Sequence, residues 1–274
     1  MNCKNCTTEL KNHHNFCPNC GAKVIRNRLT IKNLWSEFSE RFFNYDNTFF
    51  KTFRHLFVKP EVVIDSFVDG TRKKYLNVFN YFAISITVTG FFTFIYLKFF
   101  PEIYTGAMDS LQNAYETEAQ QKMFTDMMST IFDYQSIIYF MMIPIFALVS
   151  IIVFYNYKKY NYTEHAVIYL YAYSHITMSL NILYLICILT YQPLLNYMSL
   201  LSIPISILFI AYVLKRVFEL SFKKIVLKTL LFLVVGSIFY IGLVIVIGIL
   251  MLITMFFDGS LMEMIEEQRR LRGK

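Results

Sequence analysis

The chain has 274 residues, of which 56% are hydrophobic and only 16% are charged, a composition typical of membrane proteins rather than of soluble globular domains. The net charge of +7 would suit nucleic acid, but the cations cluster beside apolar blocks, where they orient helices and meet anionic lipid head groups. We therefore expect a lipid bilayer as partner and no nucleic acid. Polar sequence rather than an apolar secretory segment follows Met1, which predicts an N-terminal domain that stays inside the cell.

Two Cys-x-x-Cys pairs, separated by ten residues, occupy the start of the chain. Four thiolates at this spacing suit a tetrahedral zinc ion, with iron in the same cage as an alternative. Free thiols and two disulfides also fit the spacing, but disulfides need an oxidising compartment. Because sulfur fills all four positions, the predicted site is structural rather than catalytic. Its predicted ligands are Cys3, Cys6, Cys17 and Cys20.

The predicted zinc-ribbon-like knuckle covers residues 1–25. So short a segment cannot bury a core of its own, so the metal would supply its folding energy. A knuckle of this kind usually presents a small rigid surface to a partner or orders a terminus. The sequence therefore predicts a protein partner that binds through the knuckle.

A linker and aromatic-rich amphipathic helices are predicted for residues 26–75. Apolar residues recur at helical spacing from Ile31 to Phe42 and again from Phe49 to Phe57. A third segment is opened by Pro60 and closed by Gly70. All three are too short to cross a bilayer, so they fit either the membrane interface or the ends of a helical bundle.

Three cations stand directly before the first long apolar stretch. Arg72, Lys73 and Lys74 are predicted to keep that end of the helix inside, and they are candidate contacts for lipid head groups.

The stretch FFKTFRHLFVKPEVVIDSFVDGTRKKYL, residues 49–76, resembles the DUF3667 family of uncharacterised bacterial membrane proteins, seen chiefly in Bacteroidetes. Members of that family carry an N-terminal CxxC…CPxCG knuckle, a proline-led helix and a Gly-x-Arg-x-x-Tyr step into the first crossing. The matching positions are Pro60, Gly70, Arg72 and Tyr75, whereas Glu61 stands where the family usually has glycine. The family's usual proline after the tyrosine is also missing here. The resemblance implies an architecture and a bacterial inner membrane, and no activity.

Five uncharged apolar stretches predict an all-α polytopic membrane protein. The clearest evidence is residues 165–214, fifty residues without Lys, Arg, Asp or Glu, which hold two crossings and a turn at 192–196. Residues 98–133 predict an external amphipathic helix, and a polar tail covers 258–274. The predicted crossings within the bundle of residues 76–257 are about 76–97, 136–157, 166–189, 198–214 and 229–257.

The distribution of cations predicts a cytoplasmic N-terminus. Thirteen Lys and Arg precede the first crossing, whereas the loop 98–133 has two cations and six acids, and residues 215–228 again carry five cations. Five crossings place the tail outside, although it holds four cations, so either the tail is external or one crossing is miscounted.

The sequence offers few candidates for a functional site inside the membrane, because none of the predicted crossings contains Lys, Arg, Asp or Glu. Glu164, His165 and His175 are candidates for a polar pocket or a second metal site. The alternative is hydrogen bonding between helices, with Glu164 favouring a helix N-terminus. We find no nucleotide-binding loop, no serine elbow and no HExxH pattern.

The leading hypothesis is an integral membrane protein that acts by binding, as an adaptor, assembly or regulatory component with a structural zinc site. One rival is a transporter or channel for a neutral or lipid-like solute. Another is a membrane-embedded enzyme that uses Glu164 and His165. The sequence favours a role other than catalysis.

Overall fold

A computed structural model of the chain describes residues 1–26, 30–32, 48–100, 118–190 and 194–258. The chain divides into two compact units, Met1–Asn47 and Thr48–Lys274. The amphipathic segment predicted around Trp35, the centre of the turn before residue 194 and the tail from residue 259 lie outside the described residues.

In its described part, the first unit is built on two short antiparallel contacts rather than on extended strands. Asn2 pairs with Glu9, and Phe16 pairs with Lys23. Its buried apolar cluster is minimal and consists of Cys3, Leu10 and Cys17.

The described part of the second unit contains eight helices and no strand. They are α1 Thr48–Val58, α2 Pro60–Val68, α3 Val78–Phe99, α4 Glu118–Asp133, α5 Gln135–Val153, α6 Tyr162–Thr190, α7 Leu194–Val217 and α8 Phe222–Asp258.

Five of these helices, namely α3, α5, α6, α7 and α8, are long and apolar enough to cross a membrane. The predicted all-α polytopic fold with five crossings is therefore confirmed. One boundary differs clearly from the expectation, since α8 begins at Phe222 and not at residue 229. Of the lysines in its first two turns, Lys223 and Lys224 are exposed, and Lys228 donates to the backbone oxygen of Val153 at the end of α5.

Helix α6 is the centre of the bundle. Residues 167–172 are all buried in succession, which requires neighbours on every side of a helix. These neighbours are α3, α5, α7 and the α1–α2 pair. By contrast, α8 packs only its inner side on α5 and α7 and leaves many apolar side chains exposed, as a helix that faces lipid does.

Helices α1 and α2 form a hairpin that packs against α6 and α7. Pro60 starts α2 at a position where its missing N–H costs nothing. Gly70, with φ of 92°, ends α2 in a Schellman motif, in which the N–H of Thr71 donates to the oxygen of Ser66. Of the two arrangements left open by the sequence, the structure therefore has the hairpin on the bundle.

The hairpin occupies space that α3 leaves free. The hydroxyl of Tyr171 donates to the backbone oxygen of Leu76, so α3 begins level with the third turn of α6. The first turns of α6, roughly 13 Å at about 1.5 Å per residue, thus extend beyond α3 and pack against the hairpin instead. The hairpin contributes the buried residues Thr52, Leu56, Pro60, Val63 and Ile64.

Candidate functional site

The four N-terminal cysteines converge on one point. Their Sγ atoms all lie within 4.8 Å of one another, with 3.7 Å between Cys3 and Cys20 and 3.5 Å between Cys6 and Cys17. Four sulfurs around a metal ion, each at about 2.3 Å from it, lie about 3.8 Å from one another in a tetrahedron. The two sulfurs of a disulfide lie about 2.05 Å apart. The donor set and its spacing therefore fit one metal ion and do not fit disulfides.

The knuckle is built from two halves related by a shift of fourteen residues along the chain. The N–H of Cys3 donates to the oxygen of Thr8, and the N–H of Cys17 donates to the oxygen of Ala22, both at 2.8 Å. Each Cys-x-x-Cys pair thus lies in a loop with the same hydrogen bond, and the two loops bring their sulfurs to one point.

Each half requires a left-handed residue directly after its second cysteine. That residue is Thr7, with φ of 60°, in the first half and Gly21, with φ of 69°, in the second. Glycine adopts this conformation freely, whereas a β-branched residue does so only under strain. The first half therefore holds a strained residue where the second half has a relaxed one.

The four cysteines differ in exposure and in the pKa of their thiols. Cys3 and Cys17 are buried, whereas Cys20 is exposed. The hydroxyl and the backbone N–H of Thr8 lower the pKa of Cys6 to about 6, with 3.2 Å between the hydroxyl oxygen and Sγ. This favours the thiolate form that a metal ligand needs. Within the described parts of the chain, this is the one cluster of three or more His, Cys, Asp or Glu side chains placed to hold an ion.

The candidate residues at the start of α6 each have a packing partner. Glu164 and Asn161 form a capping box, in which the Glu164 carboxylate accepts from the Asn161 N–H at 2.8 Å and the Asn161 side chain accepts from the Glu164 N–H at 3.0 Å. The Nδ1 atom of buried His165 lies 2.9 Å from the Ser150 hydroxyl oxygen on α5.

His175 lies about 15 Å farther along α6, at roughly 1.5 Å per residue, so the three candidate residues do not meet in one pocket. Its Nδ1 atom is 2.6 Å from the hydroxyl oxygen of Tyr81, and both side chains are fully buried. Aromatic rings surround the imidazole, with centroids at 4.6 Å for Phe53, 4.2 Å for Phe57 and 5.2 Å for Phe209. The Nε2 atom has no hydrogen-bond partner in the described structure.

Sequence reasoning missed a row of hydroxyl groups on α3, which we call the hydroxyl stripe. Its members are Tyr81, Ser85, Thr89 and Thr93, spaced four residues apart and therefore on one face of the helix. This spacing was the signal that would have revealed it.

Every member of the hydroxyl stripe bonds to a neighbouring helix. Ser85 donates to the backbone oxygen of Ser174 at 3.0 Å. Asn181 donates to the Thr89 hydroxyl at 2.8 Å, and the Thr93 hydroxyl lies 3.2 Å from the Gln135 side-chain oxygen on α5. Together with the Tyr81–His175 bond, the contacts of Ser85 and Thr89 fix α3 against α6, and the contact of Thr93 fixes its far end against α5.

Two ionic contacts hold the hairpin at the end of the bundle that we call the charged end. Arg216 of α7 binds Glu61 through two hydrogen bonds, of 2.6 and 3.0 Å. Asp65 accepts from the Tyr160 hydroxyl and lies 3.5 Å from the Nζ atom of Lys159. Burial, together with this bond to Asp65, raises the pKa of Tyr160, so the phenol stays a donor.

The charged end also holds an open cavity of about 480 Å³. It is lined by aromatic side chains and by Lys158, Lys159, Glu164 and His165. Glu164 already caps α6 and His165 already pairs with Ser150, so only part of their polar surface faces the cavity.

The three cations predicted to meet lipid are all exposed, but they differ in their contacts. The Arg72 guanidinium lies 4.2 Å from the Phe67 ring centroid and donates to the Phe67 backbone oxygen. Arg72 therefore packs on the C-terminal end of α2, whereas Lys74 lies 5.4 Å from the centroid of the Tyr75 ring.

Taken together, the fold and the cysteine cluster define a polytopic all-α membrane protein with an N-terminal centre able to hold one metal ion. Residues 46–90 match the family described as Protein of unknown function (DUF3667), which confirms the resemblance seen in the sequence over this region. The match covers α1, α2 and the first part of α3. No curated protein and no solved structure matches the chain.

Proposed function

We propose that this protein is a membrane-anchored binding protein whose zinc-organised head, residues 1–25, presents a small rigid surface to a protein partner. In this role it acts as an adaptor, assembly or regulatory component. The observation that supports the proposal is the closed thiolate site, in which four sulfurs of the chain lie within 4.8 Å of one another. An ion held in this way has no position left for a substrate, so it stabilises a fold instead of performing chemistry.

Zinc is the ion that this site fits best. Four thiolates in a tetrahedral arrangement are the donor set of structural zinc centres, and iron is the alternative for the same set. Because the buried cluster of the head contains only Cys3, Leu10 and Cys17, bound metal would supply most of its folding free energy.

The head also carries apolar surface suited to a partner. Phe16 is 57% exposed and Ile25 is 58% exposed, in a head whose buried cluster consists of Cys3, Leu10 and Cys17. Aromatic and aliphatic side chains on a rigid surface are the usual anchors of protein–protein contacts.

We further propose a bacterial inner membrane, with the head and the charged end of the bundle in the cytoplasm. The support is the excess of Lys and Arg before the first crossing and between residues 215 and 228. A reducing cytoplasm would also keep the four thiols available for metal.

The first experiment measures metal and partners on the same sample. The tagged full-length protein is extracted in mild detergent, its zinc and iron are quantified by mass spectrometry, and crosslinked partners are captured. We expect one zinc per chain in the wild type and in Cys187→Ser, which alters a buried cysteine of α6. Cys17→Ser should lose zinc and partner together. Metal-free wild-type protein would overturn the proposal.

A second variant separates partner binding from simple ordering of the terminus. Phe16→Ser removes an exposed ring but none of the sulfurs, so zinc should stay at one per chain while partner capture falls. If zinc and capture both remained unchanged, the surface around Phe16 would not be the binding surface.

Transport of a neutral or lipid-like solute is the second candidate function. The observation that favours it is the hydroxyl stripe, which gives α3 and α6 a polar contact inside the bundle. Beside it, one buried imidazole nitrogen of His175 has no hydrogen-bond partner among the described residues. Solute uptake by reconstituted vesicles that is abolished by His175→Leu, in a variant that still folds, would decide in favour of this function.

A further inference from the structure

The outer face of α1 and the residue that follows it carry three cations that the sequence did not single out, and these lie close to Lys74. Lys51 and Arg54 are exposed on α1, Lys59 is exposed directly after it, and Lys74 is exposed in the segment before α3. We call these four residues the α1 basic patch. They surround His55, which lies on α1.

The patch is held together by one tyrosine. The hydroxyl oxygen of Tyr75 lies 2.8 Å from Nδ1 of His55, which ties the segment before α3 to α1. The Nζ atoms of Lys51 and Lys74 lie 5.9 and 5.4 Å from the centroid of the Tyr75 ring. Cations from two separate parts of the chain therefore converge on the same ring.

The local field is positive. Burial lowers the pKa of His55, and the four cations of the patch lower it further, so the imidazole stays neutral among them. None of the four cations forms an ion pair with an acidic side chain of the described residues. Glu61 is close enough to Lys59 for the two charges to interact, but the four cations outnumber it. A group of cations with so little opposing charge attracts an anion.

Apolar side chains adjoin the patch in the chain. Phe50 precedes Lys51 and is 62% exposed, Val58 precedes Lys59 and is 53% exposed, and Phe79 in the first turn of α3 is 63% exposed. Cations next to exposed aromatic and aliphatic groups, at the start of a membrane-spanning helix, match the level of lipid head groups.

We propose that the α1 basic patch binds the phosphate of an anionic phospholipid, while the acyl chains lie along the exposed apolar residues of α1 and α3. The binding surface is thus formed mainly by α1 and not by the Arg-Lys-Lys run before α3. Within that run, Arg72 is engaged with the end of α2, and Lys74 is the member that joins the patch.

The test is a titration of fluorescent phosphatidylglycerol into the full-length protein in neutral detergent, read by anisotropy. The variant replaces Lys51, Arg54 and Lys59 by Gln. The matched control replaces three other cations of the charged end, Lys158, Lys223 and Lys224, by Gln and thus removes the same charge. Thermal unfolding of both proteins shows that each is folded.

We expect the patch variant to bind phosphatidylglycerol more than about tenfold more weakly than the wild type, and the control to change by less than about twofold. Equal losses in both variants would mean that overall charge attracts the lipid, and would overturn the proposal. Displacement of the probe by inorganic phosphate as readily as by unlabelled phosphatidylglycerol would assign the patch to a free anion, and would overturn it as well.

Discussion

The bond between Tyr81 and His175 offers the most direct test of how the bundle is held together. Both side chains are fully buried, and 2.6 Å separates the hydroxyl oxygen from Nδ1. Tyr81→Phe removes this hydroxyl and little else. It leaves an imidazole with neither nitrogen paired, because Nε2 already lacks a partner in the described structure.

The unpaired imidazole determines how much free energy of unfolding the Tyr81→Phe variant loses. Hydrogen bonds between membrane helices are worth only about 0.6 kcal/mol on average. A buried polar group left unsatisfied costs about 1–3 kcal/mol, so we expect about 2 kcal/mol for Tyr81→Phe. At roughly 2–4 °C per kcal/mol, the midpoint of thermal unfolding should fall by about 4–8 °C.

The assay is thermal unfolding in detergent micelles, with Thr87→Val as the control. Thr87 is on the same helix, but it is exposed, and its hydroxyl donates to the Ala83 oxygen of its own helix, so its loss should change little. Adding His175→Leu to Tyr81→Phe should restore part of the stability, because the unpaired nitrogens leave together. A Tyr81→Phe midpoint equal to that of Thr87→Val would refute this reasoning.

Two further predictions concern the head and the hairpin. Gly21→Ala forces a side chain into the left-handed region, which costs about 1–2 kcal/mol and should weaken zinc binding by about 5- to 30-fold in a chelator competition, whereas Thr7→Gly should tighten it. Partial burial alone would raise the pKa of Glu61, but the hydrogen bonds and charge of Arg216, a backbone hydrogen bond and the charge of Lys59 together outweigh it and lower this pKa. The pair therefore stabilises the fold above about pH 4.3 and loses this effect, of up to about 1 kcal/mol, as the pH falls through the lowered pKa.

These predictions have clear controls. A Cβ atom at Gly21 would meet no atom within 4 Å, so any loss of zinc affinity reports backbone conformation and not a clash. Glu61→Gln should flatten the fall of the unfolding midpoint below about pH 4.3, whereas Asp69→Asn, at an exposed carboxylate that ends α2, should follow the wild type. Identical pH profiles for all three proteins would contradict the proposed role of the Glu61–Arg216 pair.

The five crossings could be predicted from the sequence because the bilayer imposes a simple rule, namely about twenty residues without an unpaired charge. The rule fails where a charge at a helix end finds a local partner. Lys228 lies within the second turn of α8 and donates to the Val153 oxygen, so the helix starts at Phe222, well before the uncharged stretch. A prediction that starts the helix only after the last charged residue misses the turns that such a bond stabilises.

The cysteine cluster could also be predicted, because spacing alone brings two adjacent thiols of a Cys-x-x-Cys pair to one ion. The polar contacts of the bundle could not. Which residue of α6 meets Tyr81 or Thr89 depends on the rotation and depth of two helices separated by about ninety residues of chain. Periodicity shows that α3 has a hydroxyl face, but it does not show what that face touches.

The hydroxyl stripe and the family match fall in the same part of the chain. Residues 46–90 contain both helices of the hairpin and the first three residues of the stripe, and these elements pack on α6 and α7. The matched region is therefore a packing unit that fills the charged end beside the central helix. Its buried face is occupied by this packing, so any binding role of the region depends on the face that remains exposed, which carries the α1 basic patch. The four cysteines lie outside the match, and their role rests on the sulfur geometry alone.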